Sequence, residues 1–188
     1  MSDGTTRALE EHRDLLDQIP GLLPAADEAA RLIVAAYEAE GRVISFGNGG
    51  SAADAQHITG ELVGRFKRER RPLAAIALSV DPSVVTCIAN DYSFEDVFAR
   101  QVQAHAHEGD VAIAYTTSGR SENVVRALRA AREAGAKTIL FAGGDGMPAA
   151  EHADVALVVP SASTARVQEM HLFLMHVIVD QVDEWAAA

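Results

Sequence analysis

Two helical periods open the chain. Residues 5–19 and 24–40 space their apolar positions at helical intervals. In the second stretch Ala29, Ile33, Ala36 and Tyr37 recur on one face, Asp27, Glu28, Arg31 and Glu38 lie elsewhere, and Gly41 is placed to stop it. The pattern then changes to short apolar runs alternating with helical stretches. RVISFG leads into a helix over 51–66, LAAIALS into one over 82–89, and DVAIAYT into one over 121–134. KTILFAG is followed by a short helix near 147–152, and DVALVVP by a long final helix over 164–186. Five apolar runs separated by helices predict an α/β fold with a parallel sheet covered on both faces. No linker, repeat or low-complexity stretch interrupts it, so residues 1–188 read as a single domain.

Composition narrows the function classes. At 188 residues, 48% hydrophobic, the chain can bury a sizeable core without staples. A net charge of −11 argues against a nucleic-acid or anionic-membrane surface. The one basic run, GRFKRERRP, reads as a solvated helix end. The opening MSDGTTRALEEHRD is polar, without the apolar core of a secretory signal, and LFLMHVIV is too short to span a bilayer. A lone cysteine, Cys87 in the apolar context VVTCIA, excludes an internal disulfide and predicts a reduced, buried thiol. These features together predict a cytoplasmic protein. An anion bound by so acidic a chain must be attracted locally, against the global field.

In parallel sheets, ligands bind where strand ends meet helix starts, and two such junctions carry unusual residues. GNGGS contains Gly47-x-Gly49-x-x-Ala52, a dinucleotide-like fingerprint, but lacks the acidic residue about 20 positions onward. Asp81, which ends the second predicted strand, comes too late, and no Gly-Lys-Ser/Thr follows to make a nucleotide P-loop. The plain reading of GNGGS is a tight turn into a helix capped by Ser51. In YTTSGRSENVVRAL, the hydroxyls of Thr116, Thr117, Ser118 and Ser121 crowd one strand end, with Ser121 at an N-cap position and Arg120 as a possible cation. A helix start lined with donors suits a phosphate.

Beyond GNGGS, Ala55, Ile58, Leu62 and Phe66 mark a buried helix face, and Asp54, His57 and Glu61 form a stripe beside it. His57 and Glu61 are spaced to share one metal ion or one substrate. The last helix is apolar nearly all round from Met170 to Val179, which predicts burial on several sides. His176 lies inside that run and Gln168 two turns earlier on roughly the same face; a buried imidazole must find a partner. Asn90 and Asp91 form an apparent turn after a helix.

With GNGGSAADAQHITGEL, IANDY, TTSGRSENV and RVQEMHLFLMH in order along nearly the whole chain, the sequence resembles the SIS (sugar isomerase) domain family, and within it the phosphoheptose isomerases. The resemblance implies a three-layer αβα sandwich with a five-stranded parallel sheet, no nucleotide, and a homotetramer with sites at subunit interfaces. Residues 1–40 would pack on the domain and in the oligomer, through Leu9, Leu16 and Ile19. Substrate contacts would fall on Asn48, Gly49, Gly50, Ser51, Glu61, Asn90, Asp91, Thr116, Thr117, Ser118, Ser121 and Gln168. Zinc ligands would fall on His57, Glu61, Gln168 and His176, with Glu61 and His176 also the acid–base pair in either order. The implied reaction converts sedoheptulose 7-phosphate to glycero-manno-heptose 7-phosphate through an enediol. A His₂Glu set with a Gln carbonyl has more hard-oxygen character than a structural zinc site, so the ion's identity stays open.

Thr116, Arg120 and Ala165 depart from common family residues (Ser, Asn and Asp respectively) and leave the exact sugar open. SIS proteins that bind a replication initiator share the GNG and QEMH stretches but lack the carboxylate and histidine that fall on Glu61 and His176. Their presence favours an enzyme over such a protein or a sugar-phosphate sensor.

Overall fold

The computed structural model describes residues 2–188. After α1 (Ser2–Leu16) comes a 3-10 turn (Ile19–Leu22), then α2 (Leu23–Glu38) and β1 (Val43–Gly47). There follow α3 (Gly50–Val63), β2 (Ala75–Ala77), α4 (Pro82–Asp91), α5 (Ala99–His105), β3 (Val111–Tyr115) and α6 (Glu122–Glu133). The chain closes with β4 (Lys137–Gly143), β5 (Val155–Val159) and α7 (Thr164–Ala187). The five strands are all parallel, in the order β2-β1-β3-β4-β5.

Alternation along the strands divides the core into two layers. Val43, Val111, Ile113, Tyr115, Ile139, Phe141 and Leu157 face α2, α3 and α7, which bring Ile33, Ile58, Leu62, Leu174 and Ile178. Ile44, Phe46, Ala112, Ala114, Leu140 and Ala142 face α5 and α6 through Val102, Val124 and Leu128. Helices on both faces leave β1 and β3 buried along their whole length, the arrangement expected of a parallel sheet. This is the anticipated three-layer αβα sandwich.

Several boundaries move for identifiable reasons. The first helix stops at Leu16 rather than continuing to residue 19, because Pro20 has no N–H to donate to the Leu16 carbonyl and sits instead near the start of a new 3-10 turn, Ile19–Leu22. Gly41 follows α2, but Glu40 takes the left-handed backbone (φ 61°); a Cβ on Gly41 would strike the Gly109 carbonyl, so close approach demands the glycine there. LAAIALS supplies only three strand residues at the sheet edge, and Asp81 caps α4, accepting the N–H groups of Ser83 and Val84. Helix α4 runs on to Asp91, so Asn90 and Asp91 occupy its exposed C-terminal end instead of a turn. Helix α5 is additional to the sequence pattern; seven residues are too few to show an amphipathic period.

Three expectations of burial are overturned. Cys87 is exposed, since α4 buries only Ile88 and turns its thiol outward, 3.5 Å from Asp91 Oδ2. Helix α7 is buried along one stripe (Met170, His171, Leu174, Met175, Ile178 and Val179) rather than on several sides: Leu172 and Phe173 are exposed. The basic run is solvated at Arg65, Lys67 and Arg71 but not at Arg70, whose side chain is wholly buried with that of Asp183. Ile19 enters the core, while Leu9 and Leu16 stay exposed. No helix among the described residues is long and apolar enough to cross a membrane.

Candidate active site

Strands β1 and β3 are neighbours, ending together at the Gly47–Tyr115 register pair. From there the chain leaves the sheet towards opposite faces, into α3 on one side and α6 on the other. Such a divergence opens a crevice at the strand ends. Here it is a cavity of about 190 Å³ lined by Asn48, Gly50, Ser51, Tyr115, Thr116, Thr117, Ser121, Thr164 and Gln168.

Three helix starts meet in that cavity. Gly50 and Ser51 form the first turn of α3, Ser121 is the N-cap of α6, and Thr164 begins α7. The first N–H groups of each helix lack intrahelical partners, and the aligned peptide dipoles place partial positive charge there. This is the local attraction an anion needs in a chain of net charge −11. Ser51 lies inside α3 rather than capping it, since the cap falls on Gly49 in left-handed backbone (φ 56°), a conformation ruled out for most side chains. Ser121 holds the N-cap position without a side-chain capping bond. The paired amides of Asn48 and Asn123 exchange two hydrogen bonds of 2.9 Å and tie the β1 loop to α6. A Cβ on Gly50 would fall on the Gln168 amide, so that glycine lets α7 close against the loop.

A second polar centre lies farther along the same two helices. His57 and Glu61 on α3 and His176 on α7 place one ligand atom each within 4.8 Å of one another. His57 Nε2 is 3.0 Å from Glu61 Oε1. The rings of His57 and His176 meet edge to face at 5.2 Å, and Phe66 stacks on the other imidazole, His176, at 5.4 Å. Burial, reinforced by the His57 charge, lowers the His176 pKa below the ordinary histidine value against the opposing pull of Glu61. The shift favours the neutral imidazole, the form that a metal ligand or proton acceptor needs. Two imidazoles and a carboxylate so gathered form a donor set suited to a divalent transition metal with positions left open.

The two centres are separated by about 9 Å of helix rise from Ser51 to His57. Any ligand touching both is elongated, with its anionic end at the helix starts.

Of the residues singled out from sequence, Asn48, Gly50, Ser51, Thr116, Thr117, Ser121 and Gln168 line the cavity, and His57, Glu61 and His176 form the cluster. Gln168 stands against Gly50 at the cavity end of α7. Gly49 and Ser118 are exposed at the rim; the Ser118 hydroxyl accepts the Arg120 N–H at 3.2 Å. The Arg120 guanidinium is ion-paired with Asp145 at the surface and does not line the cavity. Asn90 and Asp91 also lie outside it, bonded to each other at 2.7 Å. The core histidine of α7 is His171, fully buried, its Nε2–H donating to the Ala142 carbonyl and its pKa pushed by burial down to about 4.

Sequence reasoning missed Thr164, Tyr115 and Asn123. Thr164 could have been found as the first residue of a helix following a strand. Tyr115 looks like any apolar strand residue, yet its hydroxyl is buried without a partner. Asn123 gains meaning only through Asn48, 75 positions away.

Residues 9–143 match the SIS domain family model. The chain is 49% identical over 176 residues to a phosphoheptose isomerase of Citrifermentans bemidjiense, covering 93% of this chain and 92% of that protein. It is 54% identical over 157 residues to one from Aquifex aeolicus, covering 84% and 82% respectively. The solved phosphoheptose isomerase of Neisseria gonorrhoeae superposes with a TM-score of 0.92 at 37% identity, over 97% of this chain and 98% of that one.

Proposed function

The chain belongs to the SIS domain family and, within it, to the phosphoheptose isomerases, and from that premise we propose how its own residues carry the reaction. It is an aldose–ketose isomerase acting on a sugar phosphate, converting sedoheptulose 7-phosphate to D-glycero-D-manno-heptose 7-phosphate. The phosphate sits among the starts of α3, α6 and α7, taking N–H groups and the hydroxyls of Ser51, Thr116, Thr117 and Ser121, with Ser118 at the rim. Asn48, Gly49 and Gly50 shape the turn around it. Gln168 and, on assembly, Asn90 and Asp91 take sugar hydroxyls. Remote binding of the anionic tail positions carbons 1 and 2 beside Glu61 and His176.

Glu61 takes a proton from C1, and that C–H electron pair becomes the C1–C2 double bond of the enediol while the C2–O2 π pair moves onto O2. Neutral His176 accepts the O1 proton and returns it to O2. Glu61 then delivers its proton to C2 while O1 becomes the aldehyde oxygen. One hydrogen has moved from C1 to C2 and one from O1 to O2. A divalent ion, zinc first, would be held by His57, Glu61, Gln168 and His176, and when bound supplies polarisation of the carbonyl and stabilisation of enediolate charge. The carrying observation is the convergence of His57, Glu61 and His176, from helices far apart in sequence, within 4.8 Å.

Residues 1–188 act as a single SIS domain, assembled as a cytoplasmic homotetramer. Exposed Leu9, Leu16, Leu172 and Phe173 on α1 and α7 support that assembly. The test is incubation of the purified protein with sedoheptulose 7-phosphate, with and without a chelator. Aldose forms without chelator and stops with it; no aldose under either condition would overturn the reading.

A further inference from the structure

The basic segment between α3 and β2 is the conspicuous motif that the reaction leaves unused. Its centre is Arg70, whose side chain is fully buried together with that of Asp183 on α7. Arg70 Nε donates to Asp183 Oδ1 at 2.9 Å. Its remaining donors cover the exposed carbonyls at the end of α3: Nη2 binds Glu61 O at 2.6 Å, and Nη1 binds Leu62 O at 2.9 Å and Gly64 O at 3.3 Å. A helix C-terminus has unsatisfied carbonyls and partial negative charge, and a guanidinium answers both. The second Asp183 oxygen accepts the backbone N–H of Lys67 at 3.2 Å and of Arg68 at 2.9 Å. Burial works against the charged Asp183, yet these hydrogen bonds hold its pKa below the ordinary carboxylate value.

We propose that Arg70 and Asp183 form an internal strap that sets α3 against α7 and so holds Glu61 and His176 at reacting distance. Both are positioning residues, and the inference rests on the roles given above to Glu61 and His176. Arg70 grips the carbonyl of Glu61 itself. Asp183 lies two turns beyond His176 on the same side of α7. The strapped segment also carries Phe66, the ring stacked on His176. A buried ion pair is a poor source of stability compared with apolar packing, so its benefit is sought in geometry. Lysine cannot replace this arginine, since a point charge on a flexible stem cannot span four carbonyls, those of Glu61, Leu62, Gly64 and Arg71, and a carboxylate at once.

The test uses Arg70→Lys and Asp183→Asn, with Asp180→Asn as reference because Asp180 meets the same segment only through the outer side chains of Lys67 and Arg68 and has no contact with Arg70. Each is assayed for kcat and KM with sedoheptulose 7-phosphate where its circular dichroism equals that of the parent. Zinc affinity is measured separately on the metal-free protein by competition with a chromophoric chelator. Loss of an outer support of a metal site costs about 10–100-fold in affinity or activity. The strap variants should lose that much in both kcat and zinc affinity with KM unchanged, because the phosphate cavity lies at the other ends of the helices. Asp180→Asn should lose neither. Parental kcat and zinc affinity in either folded strap variant would overturn the proposal even if its Tm fell, and so would an equal loss in Asp180→Asn. If both strap variants fail to fold, Arg70→Gln, which keeps an amide donor for the α3 carbonyls but removes the pairing with Asp183, decides: reduced zinc affinity supports the strap, parental affinity refutes it. Should the parent protein not isomerise this sugar at all, the zinc arm still reads the helix geometry, so the two failures are distinct.

Discussion

Asp54 offers a perturbation whose size and sign both follow from the structure. It projects from α3 beside His57, with Oδ2 buried and lacking a hydrogen-bond partner. Burial raises its pKa from 3.8 to about 6, with the His57 charge opposing the rise. At about 1.4 kcal/mol for each tenfold change in proton affinity, the ceiling on the associated free energy is about 3 kcal/mol. The carboxyl is only half-buried, and solvent screening reduces this to roughly 1–2 kcal/mol. The native state holds the proton more tightly than the unfolded chain does. Its favourable contribution is therefore complete below pH 3.8 and is lost as pH rises through about 6. Asp54→Asn removes the charge with little change of shape. At pH 8 the variant should be more stable than the parent by roughly 1–2 kcal/mol, and at pH 4 the difference should vanish. Urea unfolding at both pH values measures this, with chelator present and one protein concentration throughout, since metal binding and assembly shift apparent stability. A variant less stable at pH 8, or equally stabilised at pH 4, would refute the reasoning.

Further outcomes test the phosphate end. Thr117→Ala combined with Ser121→Ala removes two cavity hydroxyls and should raise KM about a hundredfold or more, at about 1.5–3 kcal/mol per hydrogen bond to a charged group, with kcat little changed; an unchanged KM in steady-state assays would move the phosphate elsewhere. Gly50→Ala places a methyl group on the Gln168 amide and should weaken both competitive inhibition by inorganic phosphate and zinc affinity, since Gln168 serves both ends; parental values of both would refute that placement. Removal of metal by chelator should abolish turnover while the far-UV circular dichroism persists, because the core on both sheet faces is independent of the cluster; zinc should restore the rate.

The architecture was legible because four strands, β1, β3, β4 and β5, are buried enough to appear as mainly apolar runs, broken only by Ser45 in β1 and by Lys137 and Thr138 at the start of β4. The edge strand β2 was overdrawn because LAAIALS stays apolar beyond the three paired residues Ala75–Ala77, with Leu73 and Leu78 buried outside the strand. Cys87 misled for a related reason: an apolar neighbourhood in sequence does not guarantee that a helix packs on every side, and α4 does not. In the site, both loops and the His57/Glu61 stripe were visible through spacing on single elements. What spacing could not show is contact between elements. Nothing local pairs Asn48 with Asn123, and nothing marks Arg70 as buried within a run of solvated-looking cations. Its partner Asp183 sits 113 residues later. His171 and His176 also look alike in the sequence; only the helix's orientation assigns one to the core and the other to the cluster.

The central claim is that Glu61 and His176 jointly move the protons of a ketose phosphate. It is tested most directly by the rate of aldose formation from sedoheptulose 7-phosphate in Glu61→Gln and His176→Gln, each first shown to have the parent's circular dichroism and sedimentation. Loss of a positioned acid or base predicts a fall of about 10²–10⁴-fold in each variant. A parental rate in either one would contradict the account.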